Sequence, residues 1–324
     1  MDRRRRFGVL SVKASLIVSN TMPTSMQTEF LQRCNVCDSA MIDMVDRECN
    51  IAKCRVCGYV FDNPRPTLEE LISFYSRPGK YNSWLSELEP RELLWKRRLD
   101  KLRSTKKMGS VLDVGAGIGQ FLDQARNAYS EVYGTEVSSA AVAIAREKYK
   151  LQLFQGTLEE LDAGGKCFDN ITLFHVLEHV TDPKSVLKRC HSLLCGDGVL
   201  VIAVPNEIGS LRAFAKRVLG KIGLRKQGHS GKVGLPRIAL DGSIDEIHLS
   251  HFTVRVLHRL LQESGFSVVA STLDPYYVAT GLRRVKADLY YACCTLFLQL
   301  FKVNIYDAIL VIARKVQPLR RVTE

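Results

Sequence analysis

The sequence predicts an α/β protein, a doubly wound, seven-stranded, mostly parallel sheet with a small cysteine ribbon ahead of it. Three observations carry this. From residue 110 onward, short apolar runs alternate with amphipathic stretches, the order of a parallel sheet wrapped by helices. The first run leads straight into Gly115-x-Gly117-x-Gly119, a loop type that lets backbone turn tightly and approach a ligand. Ahead of it, Cys34-x2-Cys37 and Cys54-x2-Cys57 stand 16 residues apart, the spacing of a four-thiolate metal site.

Composition sets the outer limits. With 324 residues, 46% hydrophobic and 25% charged, the chain is neither disordered nor collagen-like nor fibrous. The net charge of +12 is local: residues 1–20 hold +4 and residues 206–235 hold +6. That leaves too little elsewhere for a surface that coats nucleic acid. No apolar run reaches the length of a membrane span, and the longest candidate, 289–301, predicts a buried helix. Arg3, Arg4, Arg5 and Arg6 precede an apolar stretch that Lys13 and several serines interrupt, with no small-residue cleavage site after it. Residues 1–29 are therefore expected to form a poorly ordered basic tail and not a secretion signal, or, over 1–25, to be extra residues upstream of a start at Met22 or Met26.

Residues 30–62 read as a zinc ribbon. Four thiolates close a tetrahedral sphere and leave no position for water, so the expected ion is a structural Zn2+ held by Cys34, Cys37, Cys54 and Cys57. Gly58 suits the positive φ that such a turn needs. The other six cysteines have no ligand-like spacing and are expected to be small buried hydrophobes in a reducing cytoplasm. Residues 63–107 read as a helical linker: Thr67 and Glu70 form a capping box for a helix of about ten residues, and a second helix covers 90–102. The remainder, 108–324, predicts strands at 111–114, 131–136, 151–155, 168–174, 198–204, 266–272 and 308–313. Helices at 120–128, 138–149, 183–194 and 254–264 separate them, with a lid over 205–250 and a helical insertion over 273–306.

The chemistry belongs at the carboxyl ends of the first strands. Glu136 ends the second strand, 17 residues past Gly119, where it can accept both hydroxyls of a ribose. Asp113, two residues before the first glycine, would repel a pyrophosphate and suits a cationic amino-acid moiety. The spacing G-x-G-x-G also departs from the dinucleotide pattern.

These residues resemble a known family. The stretch 111–119, VLDVGAGIG, is similar to motif I of class I S-adenosylmethionine-dependent methyltransferases. The stretch 168–183, FDNITLFHVLEHVTDP, is similar to their fourth strand and following loop in the ubiquinone-biosynthesis-like subgroup, and 196–206 and 248–253 continue the likeness. Residues 54–66 resemble a zinc-binding extension of bacterial methyltransferases from sugar and small-molecule pathways. The resemblance implies a Rossmann-like domain, S-adenosylmethionine as cofactor, and a small-molecule or glycan acceptor. It implies that the backbone of Gly115, Ala116 and Gly117, with Gly119 and Asp113, faces the methionine part and that Glu136 holds the ribose. Thr157 and Leu158 stand where the family has an adenine-contacting acid. Phe174 and His175 would lie beside the reactive methyl.

Methyl transfer needs a base for the acceptor, and His179, His175 and His251 are the candidates, with His248 nearby in sequence. The absence of an Asn-Pro-Pro-Tyr-like motif after the fourth strand speaks against methylation of a DNA base, and Asp274-Pro-Tyr-Tyr277 follows the sixth strand instead. Two rival readings use RNA. His175-x2-Glu178-His179 with His248 or His251 resembles the metal motif of small-RNA 3′-end methyltransferases, except that His175 replaces an acid. The ribbon is similar to that of certain ribosomal RNA methyltransferases. A third reading is a non-catalytic cofactor-binding module. Finally, Leu211, Phe214, Ala215, Val218, Leu219 and Ile222 recur at helical spacing opposite Arg212, Lys216, Arg217 and Lys221. That basic amphipathic segment, 211–226, is either a lid with its apolar side on the core or a surface for an anionic membrane or lipid-linked acceptor. The expected location is the cytoplasm, at the inner face of the membrane if the segment docks there. A mobile loop over 227–236 follows it.

Overall fold

The structure is a computed structural model and describes residues 26–105, 108–221, 231–240 and 243–316. The basic tail over 1–25, Arg225 and Lys226, and the first part of the glycine-rich loop lie outside the described residues.

The N-terminal part contains β1 (Thr28–Glu29), β2 (Ile42–Asp46), β3 (Ile51–Cys54), β4 (Val60–Asp62) and β5 (Arg65–Pro66). β2, β3 and β4 run antiparallel, and β1 closes on β5. Thr67 then caps α1 (Leu68–Tyr75) by accepting from the Glu70 N–H at 3.5 Å, as the capping-box spacing requires. α2 (Asn82–Ser86) and α3 (Leu88–Arg103) follow.

The alternating region folds as β6 (Ser110–Val114), α4 (Gln120–Ala125), β7 (Glu131–Glu136), α5 (Ser139–Tyr149), β8 (Phe154–Gln155), β9 (Phe168–Phe174), α6 (Pro183–Leu193), β10 (Leu194–Pro205) and α7 (Leu211–Lys221). After it come β11 (Ser250–His251), α8 (Val254–Glu263), β12 (Phe266–Leu273), α9 (Gly281–Phe301) and β13 (Ala308–Lys315). The seven-stranded sheet has the order β12-β13-β10-β9-β6-β7-β8, with β13 antiparallel to both its neighbours. The chain winds outward from β6 to β7 and β8, then returns to its other side with β9 and β10. A crevice opens at that reversal, above the carboxyl end of β6.

The ribbon is part of the same core. β11, contributed from beyond α7, pairs with β4 and completes the ribbon sheet. Cys34, Cys54, Tyr59 and Phe61 are buried in one cluster with Leu112, Ile171 and Leu187.

Four expectations change. Only Phe154–Gln155 of the stretch 151–155 joins the sheet, because Leu151 turns inward beneath Gly119 and fills space there. Cys167 and Cys195 are not isolated hydrophobes: parallel pairing sets Phe168 opposite Leu194, and the adjacent cysteines form a disulfide with a Cα separation of 5.0 Å. Cys293 is exposed. The 289–301 stretch lies in α9, 21 residues long, of which only Cys294 is buried; Leu289, Leu296 and Leu300 face solvent. Likewise Leu211, Phe214, Val218 and Leu219 of α7 are exposed, so the apolar side of the basic segment does not rest on the core.

Candidate active site

A cavity of about 430 Å³ occupies the crevice, within the size range of small-ligand sites. The strand ends supply one wall: Asp113 to Gly117, Thr135 to Val137, and Phe174 to Val176. Gly115 and Gly117 have φ of +64° and +54°. A Cβ on Gly115 would lie 2.6 Å from a Val176 methyl, and one on Gly117 would lie 2.9 Å from Trp84. The loop therefore needs glycine for conformation and for space. Gly119 (φ +81°) ends the loop as the N-cap of α4, but it makes room for Leu151 and Ala145 and does not line the cavity.

Glu136 is buried at the end of β7, where Oε2 accepts from the Gly117 N–H at 2.7 Å and Oε1 from the Ser138 N–H at 2.9 Å. Burial pushes its pKa up and the backbone donors hold it down. Each oxygen keeps a further lone pair, so hydroxyl donors can still be met. Asp113 is buried and accepts from Thr172 Oγ1 at 2.6 Å. Desolvation outweighs that bond and the nearby Arg98 charge and pushes its pKa up to about 7. Such a carboxyl is poised to ionise when a cation arrives. Thr157 and Leu158 lie on the wall beside Glu136, and the Thr157 N–H and hydroxyl both donate to Glu160 at 2.7 and 3.0 Å.

The facing wall comes from the supposed linker. Tyr75, Lys80, Tyr81, Trp84, Arg91, Trp95 and Arg98 of 63–107 all line the cavity. Sequence reasoning passed over them. A signal was present, since both tryptophans of the chain fall in this stretch, an unusual composition for a connector. Arg91 is 5% exposed, its Nε has no hydrogen-bond partner, and its guanidinium lies 4.0 Å above the Trp84 ring. Among the described residues it has no ion pair, which leaves a buried cation facing the cavity. Arg98 is tied to Asp274 by two bonds of 3.0 and 2.5 Å, both side chains buried. Removing one partner of such a pair strands the other charge, so Asp274→Asn is expected to cost about 3–5 kcal/mol. A thermal melt checks it, and a Tm within two degrees of the parent would contradict it.

The histidines separate into three environments. His175, at φ +58° past β9, lines the cavity with Nδ1 3.2 Å from Glu178 and Nε2 3.2 Å from Asp274. Burial opposes its charge, but the two carboxylates prevail and raise its pKa. His179 also lines the cavity. Its Nδ1 lies 2.5 Å from the Ile247 carbonyl, which can only accept, so the proton sits on Nδ1 and Nε2 keeps its lone pair. Burial, with the neighbouring His248, lowers the His179 pKa. His251 does not reach the cavity: it is buried between Asp62 and Glu207 at 3.0 and 2.6 Å. Burial opposes its charge, and those carboxylates nonetheless push its pKa up to about 9. A different trio comes together. The ligand atoms of Glu178, His179 and His248 lie within 4.8 Å of one another, residue types that could hold a divalent cation.

In the ribbon, the four cysteine sulfurs also lie within 4.8 Å of one another, with Cys34–Cys57 and Cys37–Cys54 each at 3.5 Å. Zn–S bonds of about 2.3 Å would place tetrahedral sulfurs about 3.8 Å apart, so the set fits zinc. Without a cation, burial pushes the Cys34 thiol up and that of Cys57 to about 11. Burial opposes the Cys54 thiolate too, but backbone and thiol hydrogen bonds lower its pKa, so it is the Cys34 and Cys57 thiolates that a metal charge would stabilise. Gly58 takes φ +81°.

Residues 87–271 match a family model described as a methyltransferase domain. A ubiquinone biosynthesis O-methyltransferase of Haemophilus ducreyi is 32% identical over 120 residues, 34% of this chain and 50% of that protein. A protein of the same name from Bradyrhizobium diazoefficiens is 30% identical over 126 residues, 37% and 49% of the respective chains. The match thus spans about half the length of these relatives. Among solved structures, magnesium protoporphyrin IX methyltransferase from Synechocystis PCC 6803 with bound S-adenosylmethionine aligns at a TM-score of 0.45 and 13% identity, over 78% of this chain and all of that one. The family match covers more than half of the chain, including the strands and loops that carry Asp113, Gly117, Glu136 and His179. The protein belongs to the methyltransferase-domain family, that of the class I S-adenosylmethionine-dependent methyltransferases, and carries a four-cysteine N-terminal ribbon.

Proposed function

We propose that the protein transfers a methyl group from S-adenosylmethionine to a small-molecule, sugar or lipid-linked acceptor, with His179 taking the acceptor proton. The observation that carries this reading is one continuous cavity running from the glycine loop and Glu136 to His179. In this reading Glu136 holds the ribose, and Thr157 and Leu158 flank the adenine. Asp113 and the backbone of Gly115, Ala116 and Gly117 face the methionine part, while Phe174 borders the methyl group. Arg91 neutralises the methionine carboxylate, which explains its unpaired burial. The cofactor supplies an electrophilic methyl on a good leaving group, so the protein has to align the acceptor and remove a proton.

His175 is the poorer base, because its two ring nitrogens each face a carboxylate, Glu178 and Asp274 at 3.2 Å, and these favour its protonated form. His179, with its lowered pKa and an unprotonated Nε2 that lies 3.8 Å from Glu178, is the better one. His179→Gln is expected to lower kcat roughly 10²- to 10⁴-fold with cofactor affinity unchanged. A loss below threefold would remove it from the mechanism.

A cavity of this size with the acids Asp245 and Glu246 at its wall suits a compact acceptor better than a polynucleotide. The Arg212, Lys216 and Arg217 side chains of α7 support an anionic membrane or a lipid-linked, phosphate-bearing acceptor through 211–226, and with it a place at the inner face of the membrane. We read 30–62 as a ribbon holding structural Zn2+, 63–107 as a helical linker that also walls the cavity, and 108–324 as the transferase domain. To test the reading, the purified protein is incubated with methyl-labelled S-adenosylmethionine and host extract, and the label is partitioned. Label in lipid or small soluble fractions is expected. Label lost to ribonuclease would overturn the acceptor class, and no transfer despite cofactor binding would favour a binding module.

A further inference from the structure

We infer that α9, with α7 beside it, is an interfacial platform that lies flat on an anionic bilayer. On α9, Leu282, Val285, Leu289, Leu296 and Leu300 are 56–72% exposed. Their spacing of three, four, seven and four residues puts them on one stripe, and exposed Cys293 fills its gap. The opposite side of the helix is committed: Tyr290, Tyr291, Cys294 and Leu298 pack with Leu273 and Tyr306, and Asp288 is bonded to Arg97 at 2.8 Å. Among the described residues the stripe therefore has no partner.

α7 adjoins it. The Leu211 N–H donates to the Ile305 carbonyl at 2.8 Å, and the Arg212 guanidinium lies 4.4 Å over the Tyr290 ring. Its Leu211, Phe214, Val218 and Leu219 are 40–58% exposed. The two helices hold most of the large exposed apolar side chains found downstream of residue 140 among the described residues. A monomer rarely leaves so much apolar surface uncovered.

Charge selects the occupant. Arg283, Arg284 and Lys286 stand at one end of the stripe, and Lys216 and Arg217 stand on α7 beside Arg212, which is itself paired with Asp307 at 2.8 Å. The two helices carry a single acid, Asp288, already paired. An isologous pairing with a second copy would bring this same cationic patch against itself, whereas lipid phosphates supply the missing charge. No described helix is long and apolar enough to cross a membrane, so α9 would lie in the interface with its leucines in the acyl boundary. Tyr276, five residues before α9, lines the cavity, so docking would bring the acceptor end of the site close to the lipid surface. This step deepens the lipid-linked version of the proposed function and rests on it.

The test is cosedimentation of the whole protein with vesicles of phosphatidylcholine containing 30% phosphatidylglycerol, and with phosphatidylcholine alone. The anionic vesicles are expected to capture the protein at least tenfold better at low salt. Leu289→Asp with Leu296→Asp, both exposed positions, is expected to lower capture at least tenfold. Arg283→Gln with Lys286→Gln should lower it severalfold and weaken its salt dependence. Cofactor affinity should stay at the parent value in all variants, which separates this result from failure of the catalytic reading. Parent-like capture by the α9 variants, or no capture at all, would overturn the platform. So would a dimer that becomes monomeric in Leu289→Asp with Leu296→Asp, which would make a second copy the occupant.

Discussion

Cys54→Ser is expected to unfold the ribbon and to lower Tm by more than about 10 °C. A structural zinc site contributes on the order of 10 kcal/mol to the folding of small metal modules, as much as the whole stability of many domains. The damage would not stop at the ribbon. Thr181, two residues past His179, accepts from Asn35 Nδ2 at 2.8 Å and from Arg65 Nη2 at 2.5 Å. Lys184 donates to the Val36 carbonyl at 3.1 Å, and the Tyr59 hydroxyl is bonded to Ser250 at 2.5 Å. The ribbon therefore props the loop that presents His179 and the strand that follows His248. Metal analysis of the parent should give one zinc per chain, and a chelator should reproduce the loss of Tm seen in the variant. A parent that holds no zinc as purified, or that keeps its Tm after chelation, would show that the four thiols do without an ion.

The second large effect concerns the glycine loop. Gly117→Leu is expected to reduce cofactor affinity more than a hundredfold, since it strains φ +54° and drives a side chain into Trp84. Glu136→Ala should lose on the order of 2–3 kcal/mol of binding through the lost charged acceptor. Asp113 adds a pH signature. Its folded pKa of about 7 exceeds the ordinary carboxyl value, so in the free protein ionising it costs stability progressively as pH rises from about 4 to 7. A cationic ligand favours the ionised form, and the Tm increase produced by S-adenosylmethionine should grow as pH passes upward through 7. Asp113→Asn should flatten that growth. A ligand-induced shift equal at pH 6 and pH 8 in the parent would refute the role of Asp113.

The disposition of the histidines explains why reading a base from sequence is unreliable. His175, His179 and His251 look equivalent as letters near acids. What distinguishes them is which oxygens each ring nitrogen meets, and those come from Asp274, Ile247 and Glu207, far along the chain. The same holds for Arg91, whose unpaired burial depends on α3 lying against the glycine loop. The leucines of α9 show the converse. An apolar run at helical period reads as core, yet among the described residues no layer covers that face.

Local pattern determined the elements that rest on local physics. The alternating strands and helices follow from periodicity, the glycine loop from φ values other residues avoid, the acid at the end of β7 from its place on a strand, and the four cysteines from ligand spacing. Tertiary structure decided what long-range contact controls. That includes the addition of β11 to the ribbon sheet, the conversion of a linker into the facing wall of the cavity, and the pairing of Cys167 with Cys195. It also includes the carboxylates and carbonyls that meet His175, His179 and His251 and the exposure of α7 and α9. Burial and electrostatic environment are properties of neighbours, and in a doubly wound fold the neighbours at the site come from segments up to about 170 residues apart.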